Sequence, residues 1–342
     1  MLSEVSGCLS PVSLDSLNNE GLIPLVAYNY QPKNDEFVND LLGETVRRIF
    51  CTKNNNNKYS EKEKKHLEEY HKYLKEINYI LPPNYTDEDI LRQLQGNDYK
   101  IKNSHKEIVN EIEWKKINLP IKFNNEIQEI LNTGFAYIHG RDKCFRPLIF
   151  FNPGKYDNKK FPFESWQKAT EYFIEFLIQK CLLPGRIENW NIIVDCHDLS
   201  MSKIPWDLQN LFKNIKGVYR CRLYKLYLLN LTGVFNFIWN ICVKLIGQTI
   251  EKKATKIETD NGKYTNLFKL INKNQVEKKY GGNADNVKIG NYFPLSFQNN
   301  EYYSESEEQN DKDGDIYNKI EIDNIQVDGE TFYEMNPKRK LE

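Results

Sequence analysis

Between Leu226 and Ile246 the chain reads LYLLNLTGVFNFIWNICVKLI, and Lys244 is the only charged residue in it. A run of that length could cross a bilayer as a helix. Its interior argues otherwise. Asn230, Thr232 and Gly233 interrupt it as a strand-to-helix turn would, and Asn236 and Asn240 add polar groups. Arg220, Arg222 and Lys225 flank it on one side and Lys252, Lys253 and Lys256 on the other, so no charge asymmetry orients a span. The segment is expected to be an apolar strand over 223–230 followed by a helix over roughly 233–247. Phe235, Phe237, Ile238, Trp239, Ile241, Cys242, Val243, Leu245 and Ile246 wrap the whole circumference of that helix. Such a helix is either buried in a core, or lines an apolar cavity with one face and meets a membrane with the other.

The remainder of the chain is polar and balanced. Its 342 residues leave room for one large or two modest domains with a sizeable core. Lys plus Arg total 47 against 48 Asp plus Glu, which excludes a generally basic nucleic-acid binder. A hydrophobic fraction of 40% argues against wholesale disorder. The seven cysteines include no CxxC pair, so neither a disulfide framework nor a zinc site is indicated, and a reducing compartment fits. The first residues lack a positive start and an apolar core, so no secretory leader is read and a cytoplasmic location is expected.

Four stretches can be marked off. Residues 1–59 are a poorly defined extension with a short helix; the first 35 show no period and read as a loose lead-in, and Asn54–Asn57 as a loop insertion. Residues 60–118 read as an all-helical module. Ser60 and Glu63 have capping-box spacing ahead of Leu67, Tyr70, Leu74 and Ile77; Thr86 opens a second helix, and Ser104 with Glu107 a third. Residues 126–298 alternate strands and helices: a hairpin from 135–139 and 147–152, an amphipathic helix over 164–180, a strand at 190–196, a helix at 206–216, a strand at 253–258 and a helix at 264–273. Residues 299–342 are an acidic, polar tail ending in the basic PKRK.

No catalytic constellation is visible. There is no GxSxG elbow, no GxxxxGK[ST] cradle and no GxGxxG, so no catalytic residue is assigned and no enzyme is expected. Asp195, Cys196, His197 and Asp198 crowd a strand end, but neighbours on an extended chain alternate faces and no second cluster completes a metal shell. A polar strand terminus explains them better, and no metal is assigned.

Five pieces, in order, resemble the CRAL-TRIO lipid-binding family of secretory phosphatidylinositol/phosphatidylcholine transfer proteins. TDEDILRQLQGNDYKIKNSHKEIVNEIEWKK (86–116) is similar to its N-terminal helical module, and GFAYIHGRDKCFRPLIFF (134–151) to its hairpin with Asp ahead of Arg-Pro. NIIVDCHDLS (191–200) resembles the central strand, YRCRLYKLYLLNLTGVFNFIW (219–239) the strand entering a mobile gate helix, and VEKKYGG (276–282) the closing aromatic-Gly-Gly. The resemblance implies an α/β domain after the helical module, its mixed sheet flanked by helices and enclosing an apolar lipid tunnel. Phe235, Phe237, Ile238, Trp239, Ile241, Cys242, Leu245 and Ile246 would form the gate, with Ile149, Phe151 and Ile193 in the tunnel wall. Thr249 and Lys252 match a Thr-x-x-Lys headgroup motif, Lys256 is the alternative register for the lysine, and Arg222 lies in the accompanying Arg stretch. Cys221 stands where that family has an inositol-contacting Glu, and Gln95 and Asn97 where it has arginines, which weakens the case for phosphatidylinositol.

The expectation is a monomeric, non-enzymatic carrier of one phospholipid or other lipophile. It would need no cofactor beyond that ligand, would not bind nucleic acid, and would touch membranes transiently from the cytoplasm. The alternative is a lipid-regulated membrane-recruitment adaptor working through its terminal extensions.

Overall fold

The computed structural model describes residues 22–41, 44–52, 58–200, 215–231, 239, 243, 248–257, 264–269 and 271–293. Three helices follow the extension: α3 (Glu61–Glu76), α4 (Asp87–Gly96) and α5 (Ile101–Asn118). Before them lie two single-turn helices, α1 (Leu25–Tyr28) and α2 (Asn34–Phe37), and a hairpin of β1 (Val38–Leu41) with β2 (Glu44–Arg47). The Ser60 hydroxyl accepts from the Glu63 N–H while the Glu63 carboxylate accepts from the Ser60 N–H, the reciprocal cap that the spacing predicts. Leu67, Tyr70 and Leu74 of α3 close on Ile90, Leu91 and Leu94 of α4 and Ile108 of α5.

Two expectations about this half need correction. The third helix starts at Ile101, not at Ser104. Asp98 and Tyr99 take positive φ (54° and 57°), which turns the chain early, and the Ser104 hydroxyl instead donates to the Lys100 carbonyl inside the helix. The lead-in is also no loose strand of chain where it is described. Leu22, Ala27, Tyr28 and Tyr30 are buried in the main core, and Phe50 is buried in the helical module. Its apolar residues carry no period because they are spent one at a time on partners distant in sequence.

After α6 (Asn125–Leu131) comes one mixed sheet in the order β3-β4-β5-β6-β7. β3 (Ala136–Arg141) and β4 (Pro147–Phe151) form the antiparallel hairpin, whose turn is organised by Asp142: its Oδ1 accepts from the N–H groups of Cys144 and Arg146. β5 (Trp190–Asp195), β6 (Leu223–Leu229) and β7 (Ala254–Lys256) run parallel to β4. Parallel neighbours require crossovers, and α7 (Phe163–Lys180) supplies the one between β4 and β5. The helix expected over 264–273 is two short 3₁₀ turns, Thr265–Lys269 and Lys273–Gln275. Gly281 and Gly282 close the domain; Gly281 has φ +81°, and a Cβ on Gly282 would lie 1.8 Å from the Val276 carbonyl oxygen. Asn54–Asn57, most of the 206–216 helix and the tail from 294 fall outside the described residues.

Candidate functional site

Side chains on a strand alternate faces, so the register of the sheet sorts its residues into two walls. Ile149 pairs with Ile192, Phe151 with Val194, Ile192 with Leu226 and Val194 with Leu228; these six share one face. Phe150, Ile193 and Tyr227 pair in turn and share the other. The second face is a closed core in which Tyr137, Leu148, Phe150, Ile193, Tyr227 and Leu229 pack against Tyr264, Leu267, Ile271, Val276 and Tyr280. Ile193 is fully buried there, so it cannot share a wall with Ile149 and Phe151, and the expected trio is corrected to a pair. A period of two assigns residues to faces but does not say which face meets which neighbour.

The first face has two kinds of cover. Over β3 and β4, Ile138, Ile149 and Phe151 join Trp166, Phe173, Phe176 and Leu177 of α7 in the largest core cluster. Over β5, β6 and β7, the buried Leu226, Leu228 and Cys196 meet a shell of partly buried residues: Ile192, Val194, Leu199, Leu231, Trp239, Ile250 and Ala254. Trp239 and Val243 are helical and only half-buried. Of the expected gate residues, Phe235, Phe237, Ile238, Ile241, Cys242, Leu245 and Ile246 lie outside the described residues. Among the described residues, no helix is long and apolar enough to cross a membrane.

The four expected headgroup residues do not converge. Arg222 is buried at the foot of β6 and donates from Nη1 to the Glu188 carbonyl at 3.3 Å, a structural engagement. Lys252 precedes β7 and pairs with Glu44 of the β1–β2 hairpin at 3.3 Å. Lys256 ends β7, about 13 Å of extended chain further on, so the two lysines serve opposite ends of the strand. Thr249 lies in the helical turn Gln248–Glu251 just before Lys252.

Residues 44–48 also occupy the neighbourhood of the two departures from the family pattern. The Gln95 amide donates to the Arg47 carbonyl at 3.0 Å and its oxygen accepts from the Arg47 N–H at 2.6 Å. The same amide reaches Cys221 Sγ at 3.4 Å, and the thiol points to the Arg92 carbonyl at 3.6 Å. These groups satisfy one another. Val46, Arg47, Arg48, Ile49 and Phe50 do not alternate between apolar and polar, so the sequence carries no strand signal here.

At the C-terminal ends of β4 and β5, a cleft of about 180 Å³ is lined by Asn152, Lys155, His197, Asp198 and Lys279. Asp195 beside it accepts from the His197 N–H, the Asn230 amide and the Tyr280 hydroxyl, the polar strand terminus expected of this cluster. Between the helical module and α7, burial pushes the Glu175 carboxyl up to about 7. Neither of its oxygens accepts a hydrogen bond among the described residues, although the Tyr219 hydroxyl is close enough to favour the charged form.

Residues 131–282 match the CRAL/TRIO domain family. A CRAL-TRIO domain-containing protein of Schizosaccharomyces pombe is 25% identical over 201 residues, which is 58% of this chain and 19% of that protein. The match therefore spans about a fifth of the relative's length. The crystal structure of Sfh5 superposes with a TM-score of 0.52 at 15% identity, covering 72% of this chain and 96% of the other, a likeness of fold.

Proposed function

We propose that this chain, whose residues 131–282 match the CRAL/TRIO domain family, holds one lipid against the Ile192–Val194–Leu226–Leu228 wall of its sheet and exchanges it with membranes. No covalent step is involved. The observation that carries this reading is the change of cover across one apolar face: α7 seals the β3–β4 half, while the β5–β7 half meets the half-buried Trp239. A two-chain lipid leaving a bilayer forfeits about 24 kcal/mol if about 30 methylenes lose their apolar surroundings. Only an equally apolar wall offsets that, and a wall of this kind must be shut away from water until a membrane is reached. The all-round apolar segment 233–247 is suited to be the shutter, and the lysines behind it to face anionic headgroups, at about 1 kcal/mol each near a charged surface.

Thr249 and Lys252 are our candidates for the headgroup end, with Lys252 exchanging its exposed Glu44 partner for the ligand. The protein would then work as a peripheral, transient visitor from the cytoplasm. Phosphatidylcholine fits better than phosphatidylinositol, because Cys221 and Gln95 are engaged with each other and with Arg47 and Arg92.

Mass spectrometry of organic extracts from purified protein should find one class of lipid near stoichiometric amounts. Vesicle-to-vesicle transfer of that lipid should be accelerated. Absence of both lipid and transfer refutes the reading.

A further inference from the structure

The end of α3 places an isoleucine in water. Asn78 takes a positive φ of 50°, its N–H donates to the Lys75 carbonyl at 3.2 Å, and the Tyr79 N–H donates to the Leu74 carbonyl at 3.0 Å. This pair of bonds closes the helix as a Schellman motif, with Tyr79 packed on the module core that holds Leu74. Tyr79 also meets the His105 ring edge-on, the centres 4.9 Å apart. On the far side Pro82 and Pro83 stiffen the chain. Ile80 is held between these anchors and is 90% exposed; Ile77, at the helix end, is 41% exposed.

A lone exposed isoleucine is ordinary, but this one borders a hollow. The end of α3, the loop after it and the start of α4 line an open groove of about 750 Å³. Leu74, Leu81, Pro82, Tyr85 and Ile90 give it apolar walls, and Lys75 and Asp87 put opposite charges on it. Asp87 pairs with His71 at 2.8 Å, whereas Lys75 makes no ion pair among the described residues. Glu76, beside Lys75, is exposed and lies 3.9 Å from Lys72. A projecting aliphatic side chain, an apolar hollow and charges of both signs therefore share one rigid patch. Asp87 and Glu76 oppose an anionic membrane, and a partner of a single charge sign would be repelled by part of the rim. A second copy of the chain, turned about a two-fold axis, answers every feature. It offers an isoleucine to the groove, a cation to Asp87 and a carboxylate to Lys75.

We propose that two copies of this chain pair through the α3–α4 end of the helical module. Each Ile80 enters the groove of the other copy, and each Lys75 faces the other copy's Asp87. The Schellman closure and the two prolines hold Ile80 in place beforehand, so little conformational freedom is lost on association. The surface shares no residue with the Ile192–Val194–Leu226–Leu228 wall, so the pairing stands whether or not lipid is carried.

Sedimentation equilibrium of the full chain over a range of concentrations tests this. The wild type should pass from monomer to dimer as concentration rises. Ile80→Asp should weaken association about a hundredfold, since two isoleucines lose their cover. Its thermal midpoint should match wild type, because a side chain so exposed contributes little to the fold. Lys75→Glu and Asp87→Lys should each weaken the dimer. An equimolar mixture of these two variants should recover it, because a two-fold interface sets Lys75 against Asp87 of the other copy and the mixture restores opposite signs at both places. Recovery on mixing separates a paired surface from general stickiness. The proposal is overturned if the wild type stays monomeric at every concentration, including the case in which Ile80→Asp instead loses binding to vesicles of phosphatidylcholine and phosphatidylserine. It is also overturned if Ile80→Asp dimerises as the wild type does, or if mixing restores nothing.

Discussion

Replacing Glu188 by alanine should cost this protein about 3–5 kcal/mol. The side chain is 2% exposed, and its oxygens accept from the backbone N–H groups of Phe50, Cys51 and Gly185, each at 2.9 Å, and from the Arg92 guanidinium. Arg92 in turn lies 4.2 Å from the Phe50 ring centre. One carboxylate thus ties the extension, the helical module and the sheet domain together. Removing it takes from the buried Arg92 guanidinium the carboxylate it pairs with, which is where the figure comes from. Against a total stability of about 5–15 kcal/mol, that is a large fraction. Urea unfolding followed by tryptophan fluorescence measures the loss, and limited proteolysis should show residues 44–52 released first. The double variant Glu188→Leu with Arg92→Met removes both charges and should recover most of the loss. The pH dependence has a fixed sign. Burial raises the Glu188 carboxyl, but Arg92, Arg222 and the backbone donors outweigh it, so its folded pKa lies below the ordinary 4.5. Its contribution is complete above that value and is lost as pH falls through the folded pKa, so the gap between wild type and Glu188→Ala should close in acid. A single-variant loss under about 1 kcal/mol, or a double variant no better than the single, would refute the reasoning.

Three further outcomes are expected of the folded chain. Glu175, raised to about 7, favours the folded state only while protonated, so wild-type stability should fall by up to about 3 kcal/mol between pH 4.5 and 7 while Glu175→Gln stays flat; matching slopes in chemical denaturation would contradict this. Gly282→Ala, whose Cβ would meet the Val276 carbonyl at 1.8 Å, should cost well over the about 1–2 kcal/mol that positive φ alone sets for Gly281→Ala; calorimetric midpoints rank the two. Leu228→Trp, on the face with Trp239, should reduce co-purifying lipid several-fold, whereas Tyr227→Phe, one residue earlier on the opposite face, should leave it unchanged; equal effects would mean that the wrong wall has been assigned.

Much of the secondary structure was legible because its signals are local. The Ser60–Glu63 capping box, the stripe of Trp166, Phe173 and Leu177 in α7, and the apolar strands at 190–195 and 223–229 each act within a turn or a few residues. Ser104 shows the limit of such signals. The same capping spacing sits inside α5, because two left-handed residues upstream had already started the helix. The candidate site was legible in part. Ile149 and Phe151 lie on the same face as Leu226 and Leu228 but under α7, Ile193 lies on the opposite face, and Arg222 donates to the Glu188 carbonyl.

By itself, then, the order of residues determined the alternation of strands and helices, the apolar run from Leu226 onward and the resemblance to a family. Only the tertiary structure decided which wall each strand residue lines, and that Leu22, Ala27, Tyr28 and Tyr30 of the lead-in belong to the main core. It also decided where charge is buried. The physical reason is range. Helix caps and strand periods are set by neighbours in the chain, whereas burial and charge compensation depend on partners such as Phe50 and Glu188, far apart in the chain yet hydrogen-bonded at 2.9 Å.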